Sequence, residues 1–205
     1  MPRKSRRSES SPMMLVAGLG NPGERYAATR HNVGFMVVQR LAAAHGLALK
    51  KKGHQGVYGT GRIAGIEATL LLPLTFMNLS GASVGSACKS LGVEPGDLIV
   101  VHDEIDLPFG ALRIKAGGGH GGHNGLRSIC GNLGSGEFLR LRIGVGRPPQ
   151  GGDVAGYVLN PFSARERGEL DQVLAAGVAA LETLLVRGAA AAMNEFNNRA
   201  FASPD

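Results

Sequence analysis

The 205-residue sequence has no tryptophan and two cysteines, Cys88 and Cys130. A disulfide framework of the kind that staples small secreted domains is excluded, and both cysteines fall in apolar, helix-like stretches that suit buried thiols in a reducing compartment. No run reaches the roughly 18 apolar residues of a membrane span, and no secretory apolar segment stands near the start. Acidic residues are missing from one region: between Glu24 and Glu67 there is neither Asp nor Glu. Gly18-Leu19-Gly20-Asn21-Pro22-Gly23 spells G-x-G-x-x-G, the dinucleotide fingerprint, which needs an acidic residue about 20 positions on to hold the ribose. None is there, and Pro22-Gly23 reads as a turn rather than the start of a helix. A nucleotide reading is set aside. A G-x-S-x-G elbow is absent too, so a covalent acyl-enzyme is not indicated.

What is present begins with positive charge, a net +6. Arg3, Lys4, Arg6 and Arg7 against Glu9 put half of it in residues 1–12. That tail has no apolar periodicity and is expected to be disordered. Its Arg and Ser content is shared with organelle transit peptides, but it lacks their amphipathic apolar face. Met13 and Met14 stand directly before the first apolar run, and either is a candidate start. Residues 13–205 are expected to form one domain with a sizeable core. The modest basic surplus of this body suits a polyanionic partner without requiring one.

Apolar runs alternate with helical periodicity. A strand is expected at Met14–Gly18, then a helix from about Asn32 to His45, with Phe35, Val38, Leu41 and Ala42 on one face. Lys50-Lys51-Lys52 reads as a solvated loop. Strands at Gly56–Ile63 and Ala68–Pro73 form a hairpin, which makes the sheet mixed. A helix follows Asn78 and runs to Leu91, with Asn78 suited to its N-cap. Asp97–His102 is a strand ending in His102-Asp103-Glu104. A strand at Ala111–Lys115 leads into a loop of six glycines, two histidines and Asn124, then a helix at Leu126–Leu133. Arg140 to Gly146 is a strand whose arginines alternate with apolar residues, so one face is buried and one basic. Ser163-Ala164-Arg165-Glu166 is a capping box opening a long helix closed by Gly188, with a short helix at Ala189–Asn197 after it. The expected architecture is a single three-layer α/β/α domain with a mixed, mostly parallel twisted sheet.

In such a sheet, polar groups after the strand carboxyl ends converge on one crevice. Asn21, His31, Asn78 and Asp103 occupy those positions, and the glycine loop with His120, His123 and Asn124 can reach over it. Asp103 can hold an imidazole in one tautomer while His31 acts as general base for water. Such a base supplies about 10²–10⁴-fold, and an amide donor at the oxyanion another ~10²–10³-fold. That suffices for an activated ester and is poor for a peptide bond. The His/Asp cluster at 102–106 lacks the ligand spacing of a metal site, and His120 with His123 offers too few ligands for zinc.

The stretches GLGNPGERYAATRHNVG, PLTFMNLSG, HDEIDLP and GGGHGGHNGL, in this order, closely resemble the bacterial-type peptidyl-tRNA hydrolase family from about Leu15 to Asn198. The resemblance implies a monomeric enzyme with no metal or other cofactor that cleaves the ester between a peptide and the 3′ end of tRNA; the bacterial cytoplasm is the expected compartment, with an organelle left open by residues 1–12. It places the general base on His31 and its orienting carboxylate on Asp103. Asn21 and Asn78 match asparagines that hold substrate and assist the chemistry, and Asn124 one that positions substrate and water. His123 matches a histidine of a mobile gate loop. Tyr26 and Met77 match pocket-lining positions, and Lys115 and Arg142 match contacts to tRNA phosphates. The residues agree from their own side: Lys115, Arg140 and Arg142 offer phosphate contacts that fix affinity without reading sequence. Two other readings remain. A non-catalytic RNA-binding relative of the intron-splicing type would retain the fold without turnover. A general esterase or aminopeptidase-like hydrolase acting on small molecules would show almost no salt dependence, where a polyanionic substrate shows a steep one.

Overall fold

The protein is described from a computed structural model covering residues 12–197 and 199–203; the basic tail expected at 1–12 lies, Pro12 apart, outside the described residues. Seven strands form one sheet: β1 (Met14–Gly18), β2 (Lys51–Gly53), β3 (Gly56–Ile63), β4 (Ile66–Pro73), β5 (Leu98–Glu104), β6 (Leu112–Ala116) and β7 (Leu139–Gly144), in the order β2-β3-β4-β1-β5-β7-β6. The four inner strands β4, β1, β5 and β7 run parallel. β2 and β3 on one flank and β6 on the other are antiparallel. The sheet is mixed, as the hairpin signal implies.

Helices α1 (Val33–Ala44) and α5 (Ala164–Phe196) cover one face, their Val37, Leu41, Val173 and Leu181 packing on Val16, Ile99 and Leu141. Helices α2 (Ser80–Leu91) and α3 (Asn124–Leu133) cover the other, with Val84, Ala87, Leu126 and Ile129 against Leu15, Leu98 and Val100. With both faces covered, β1 and β5 read as unbroken apolar runs, as buried parallel strands do. Two glycines let α1 press onto the sheet. A side chain at Gly18 would meet the Gly34 carbonyl at 2.4 Å, and one at Gly34 would meet the Val101 carbonyl at 2.3 Å. The turn carrying His31 is thereby held tight against β1 and β5.

Three elements differ from the expectation. The lysine cluster is loop only at Lys50: Lys51–Gly53 is β2, paired with β3. A five-residue helix, α4 (Val154–Val158), stands where no element was expected. Leu79, not Asn78, caps α2, without a side-chain cap. The capping box at Ser163 and Glu166 is present, and Gly188 (φ 82°, ψ 176°) breaks α5 where its closure was expected. By length and composition alone α5 would cross a membrane; here its apolar stripe is spent on the sheet core. Beyond it, the Asn197 amide hydrogen-bonds both the N–H (2.7 Å) and C=O (3.0 Å) of Ile114 on β6, and Ala200 bridges to Ala111.

Candidate active site

The loop after β1 and the end of β5 bring the catalytic candidates together. His31 sits in a 3-10 turn, Arg30–Asn32, and its Nδ1 lies 2.8 Å from Asp103 Oδ2. Asp103 is 2% exposed. Its other oxygen, Oδ1, is 2.8 Å from His123 Nε2. Burial alone would raise the Asp103 pKa, but the pull of His123 and His31 and their hydrogen bonds outweigh it and hold the carboxyl well below the usual range. An ionised carboxylate accepts only, so both histidines donate.

The donors fix two tautomers. His123 precedes α3 as its N-cap, and its Nδ1 accepts from the N–H groups of Gly125 (3.1 Å) and Leu126 (3.3 Å). The proton of His123 therefore resides on Nε2, directed at Asp103. His31 places its proton on Nδ1, toward Asp103, and its Nε2, without a protein partner among the described residues, is left as a base lining a cleft of about 670 Å³. A third imidazole, His102, is 1% exposed and donates from Nδ1 to the Asp103 carbonyl at 2.7 Å. Its ring meets that of His123 edge-on, centroids 4.9 Å apart. Burial, reinforced by His123, lowers its pKa to about 3, so it is neutral at any working pH.

Asn21 is anchored on three sides. Its Oδ1 accepts the Met77 N–H at 2.8 Å, and Asn32 clamps its backbone, accepting from the Asn21 N–H and donating to its C=O, each at 2.9 Å. With Oδ1 spoken for, the Nδ2 donor is the group Asn21 presents in the cleft it shares with His31. Asn78 and Asn124, both exposed, line the same cleft. Met77 does so too, at 4% exposure.

The far wall is α4, through Val154, Ala155, Val158 and Leu159. It is fastened to the His31 turn by Arg30. That guanidinium stacks on the Tyr157 ring, 4.1 Å from its centroid, and donates to the carbonyl of Pro161 (2.9 Å) and to Glu166 Oε2 (2.7 Å). Glu166 also accepts the Ser163 N–H of the capping box.

Seven expected residues, Asn21, His31, Met77, Asn78, Asp103, His123 and Asn124, converge on this cleft. Tyr26 does not line the cleft; its ring lies under the Arg25 guanidinium. Lys115 is exposed on β6. Arg142 on β7 is half-buried and paired with Glu104 at 2.5 Å. Arg140 is a correction: it is 2% exposed and donates to the carbonyls of Gly118, Gly119 and Gly136, so it ties down the glycine loop and offers nothing to a phosphate. Sequence reasoning missed Arg30 and Asn32 as fasteners of His31 and Asn21, although both flank His31 directly in the sequence. It also missed the His123–Asp103 bond, since His123 gave no sign of being a cap.

Ligand atoms of His31, Asp103 and His123 lie within 4.8 Å of one another, a set that can be asked to hold a metal. A metal on His123 Nε2 would drive its proton to Nδ1, against two backbone N–H donors, so the arrangement opposes an ion there.

An imidazole oriented by a buried carboxylate, in a cleft that an amide donor also lines at the carboxyl ends of a mixed sheet, is an arrangement suited to hydrolysis of activated carbonyl groups. The comparisons agree with that class and narrow it. The peptidyl-tRNA hydrolase family model matches residues 15–204. The peptidyl-tRNA hydrolase of Syntrophotalea carbinolica is 61% identical over 92% of this chain and 99% of its own length. That of Sorangium cellulosum is 52% identical over 91% and 85%. The crystal structure of the Acinetobacter baumannii peptidyl-tRNA hydrolase superposes with a TM-score of 0.85 at 42% identity, covering 96% of this chain and all of that one. The chain belongs to the peptidyl-tRNA hydrolase family.

Proposed function

We propose that this chain hydrolyses the ester joining peptide to tRNA in peptidyl-tRNA, with His31 as the general base. The observation that carries it is the bond from His31 Nδ1 to Asp103, which leaves Nε2 in the cleft that the Asn21 Nδ2 donor also lines. Nε2 takes a proton from water as that water attacks the ester carbonyl, Asp103 stabilises the imidazolium, and the Asn21 Nδ2 donor faces the developing oxyanion. The proton then passes to the departing ribose oxygen. Asn78 and Asn124 bind the peptide backbone, a group common to every peptide substrate, and Met77 packs against it. His123 holds the second carboxylate oxygen and joins the glycine loop to the site. Lys115 on β6 and Arg142 on the neighbouring β7 take tRNA phosphates. The enzyme acts as a monomer in the cytoplasm, with Cys88 and Cys130 as free thiols.

The test is release of the acyl group from an N-acetylated aminoacyl-tRNA, with a chelator present. Wild type should turn over, and His31→Ala should lose about 10²–10⁴-fold in kcat while binding tRNA within a few fold. Loss of binding would make His31 structural. Binding without turnover by wild type would favour an RNA-binding relative.

A further inference from the structure

Phe76 is 56% exposed and lines two depressions at once: the catalytic cleft, and a second groove of about 650 Å³. That groove lies between the turn joining β2 to β3 and the segment from Leu74 to Leu79 that leads from β4 into α2. Leu74 (46% exposed), Phe76 and Leu79 (54%) make it an exposed apolar trough. A trough of exposed apolar side chains that shares Phe76 with the catalytic cleft suits the side chains of an extended peptide.

The sheet order says which peptide. Strands run β2-β3-β4-β1-β5-β7-β6. The tRNA-facing cations Lys115 and Arg142 are on β6 and β7, at one end. His31 and Asp103 follow β1 and β5, in the middle. The groove lies past β4, at the other end, and Gly56 opposite Pro73 puts the β3 start at the same edge. A substrate with its tRNA over β7 and its ester at His31 has its peptide directed along that edge toward Phe76. We propose that this groove is a subsite for the apolar peptide segment several residues upstream of the ester, continuous with the cleft across Phe76. The inference rests on the peptidyl-tRNA reading and adds a second site for the same substrate.

The test uses the full chain and two substrates on one tRNA, N-acetyl-Ala and N-acetyl-Leu-Leu-Leu-Ala. Wild type should show a higher kcat/KM for the longer one. Leu74→Ser combined with Leu79→Ser, both at exposed positions, should lower kcat/KM for the longer substrate about tenfold, through KM, and leave the short one within twofold. Equal losses on both substrates, or no loss on either, overturn the subsite. Turnover of neither substrate by wild type removes the hydrolase reading and the subsite with it. Sedimentation of wild type as a dimer and of the double variant as a monomer would make the groove a face for a second copy, and would overturn it as well.

Discussion

Asp103 has two oxygens and two histidines to serve, and this sets what its replacement does. Asn offers one acceptor and one donor, so Asp103→Asn must turn an N–H toward either His31 or His123. Turnover should fall by at least about 10²-fold, and a near-normal kcat would remove Asp103 from the mechanism. His102 governs acid stability. Its pKa is lowered to about 3 in the fold, while an unfolded histidine titrates near ~6.5. As pH falls from that value toward 3, the unfolded chain gains a proton that the fold refuses, so stability declines across this window. Asp103, depressed in the fold, adds a further loss as pH falls below the ordinary carboxyl value of about 3.9. His102→Gln should flatten the slope of unfolding free energy between pH 6.5 and 4 by up to about one proton. Urea melts at a series of pH values read this, and an unchanged slope would assign the acid sensitivity elsewhere. At this scale His31, Asp103, Asn21 and Asn78 were legible because a polar side chain at a strand end is a local signal. Asn32 and Arg30 were not, because their partners lie 11 and more than 120 residues away.

Arg30 joins three elements: the turn of His31, the α4 wall and the first turn of α5. Lysine at this position could not stack on Tyr157 and still reach both the Pro161 carbonyl and Glu166. Arg30→Met should cost about 3 kcal/mol, as when one partner of a buried pair is lost, and should speed hydrogen exchange at the Tyr157 and Leu159 amides, which bond within α4. Protection left intact there would mean that α4 is held by its apolar face alone. The elements that escaped sequence reading are the short ones. α4 spans five residues, too few to show a helical period. β2 spans three, and its turn to β3 uses His54 (φ 53°) and Gln55 (φ 51°) where the hairpin signal is Asn-Gly. The capping box of α5 was readable because the motif is complete within four residues.

Across the whole molecule, the alternation of apolar runs and helical periods was enough to imply the layered α/β architecture, but not which cations face solvent. Lys115 has no ion pair among the described residues, whereas Arg142 is already matched by Glu104. Lys115→Ala should reduce the slope of log Kd for tRNA against log salt by about one. Arg142→Ala should reduce it by less, and Glu104→Gln should steepen it by freeing Arg142. Equal slopes in all three proteins would move the tRNA face elsewhere.

The Asn197 amide on Ile114 and the Ala200 bridge to Ala111 have a bearing on solubility. A sheet has two open rims, and each is an invitation to pair with another chain. At one rim this protein keeps β2 to three residues and sets Lys51 and Lys52 on it, so the lysine cluster acts as a guard. At the other, its own C-terminal segment occupies the bonding positions of β6. Cutting the chain before Asn197 leaves Ile114 open to intermolecular strand addition. The shortened protein should scatter light at concentrations where the full chain stays clear.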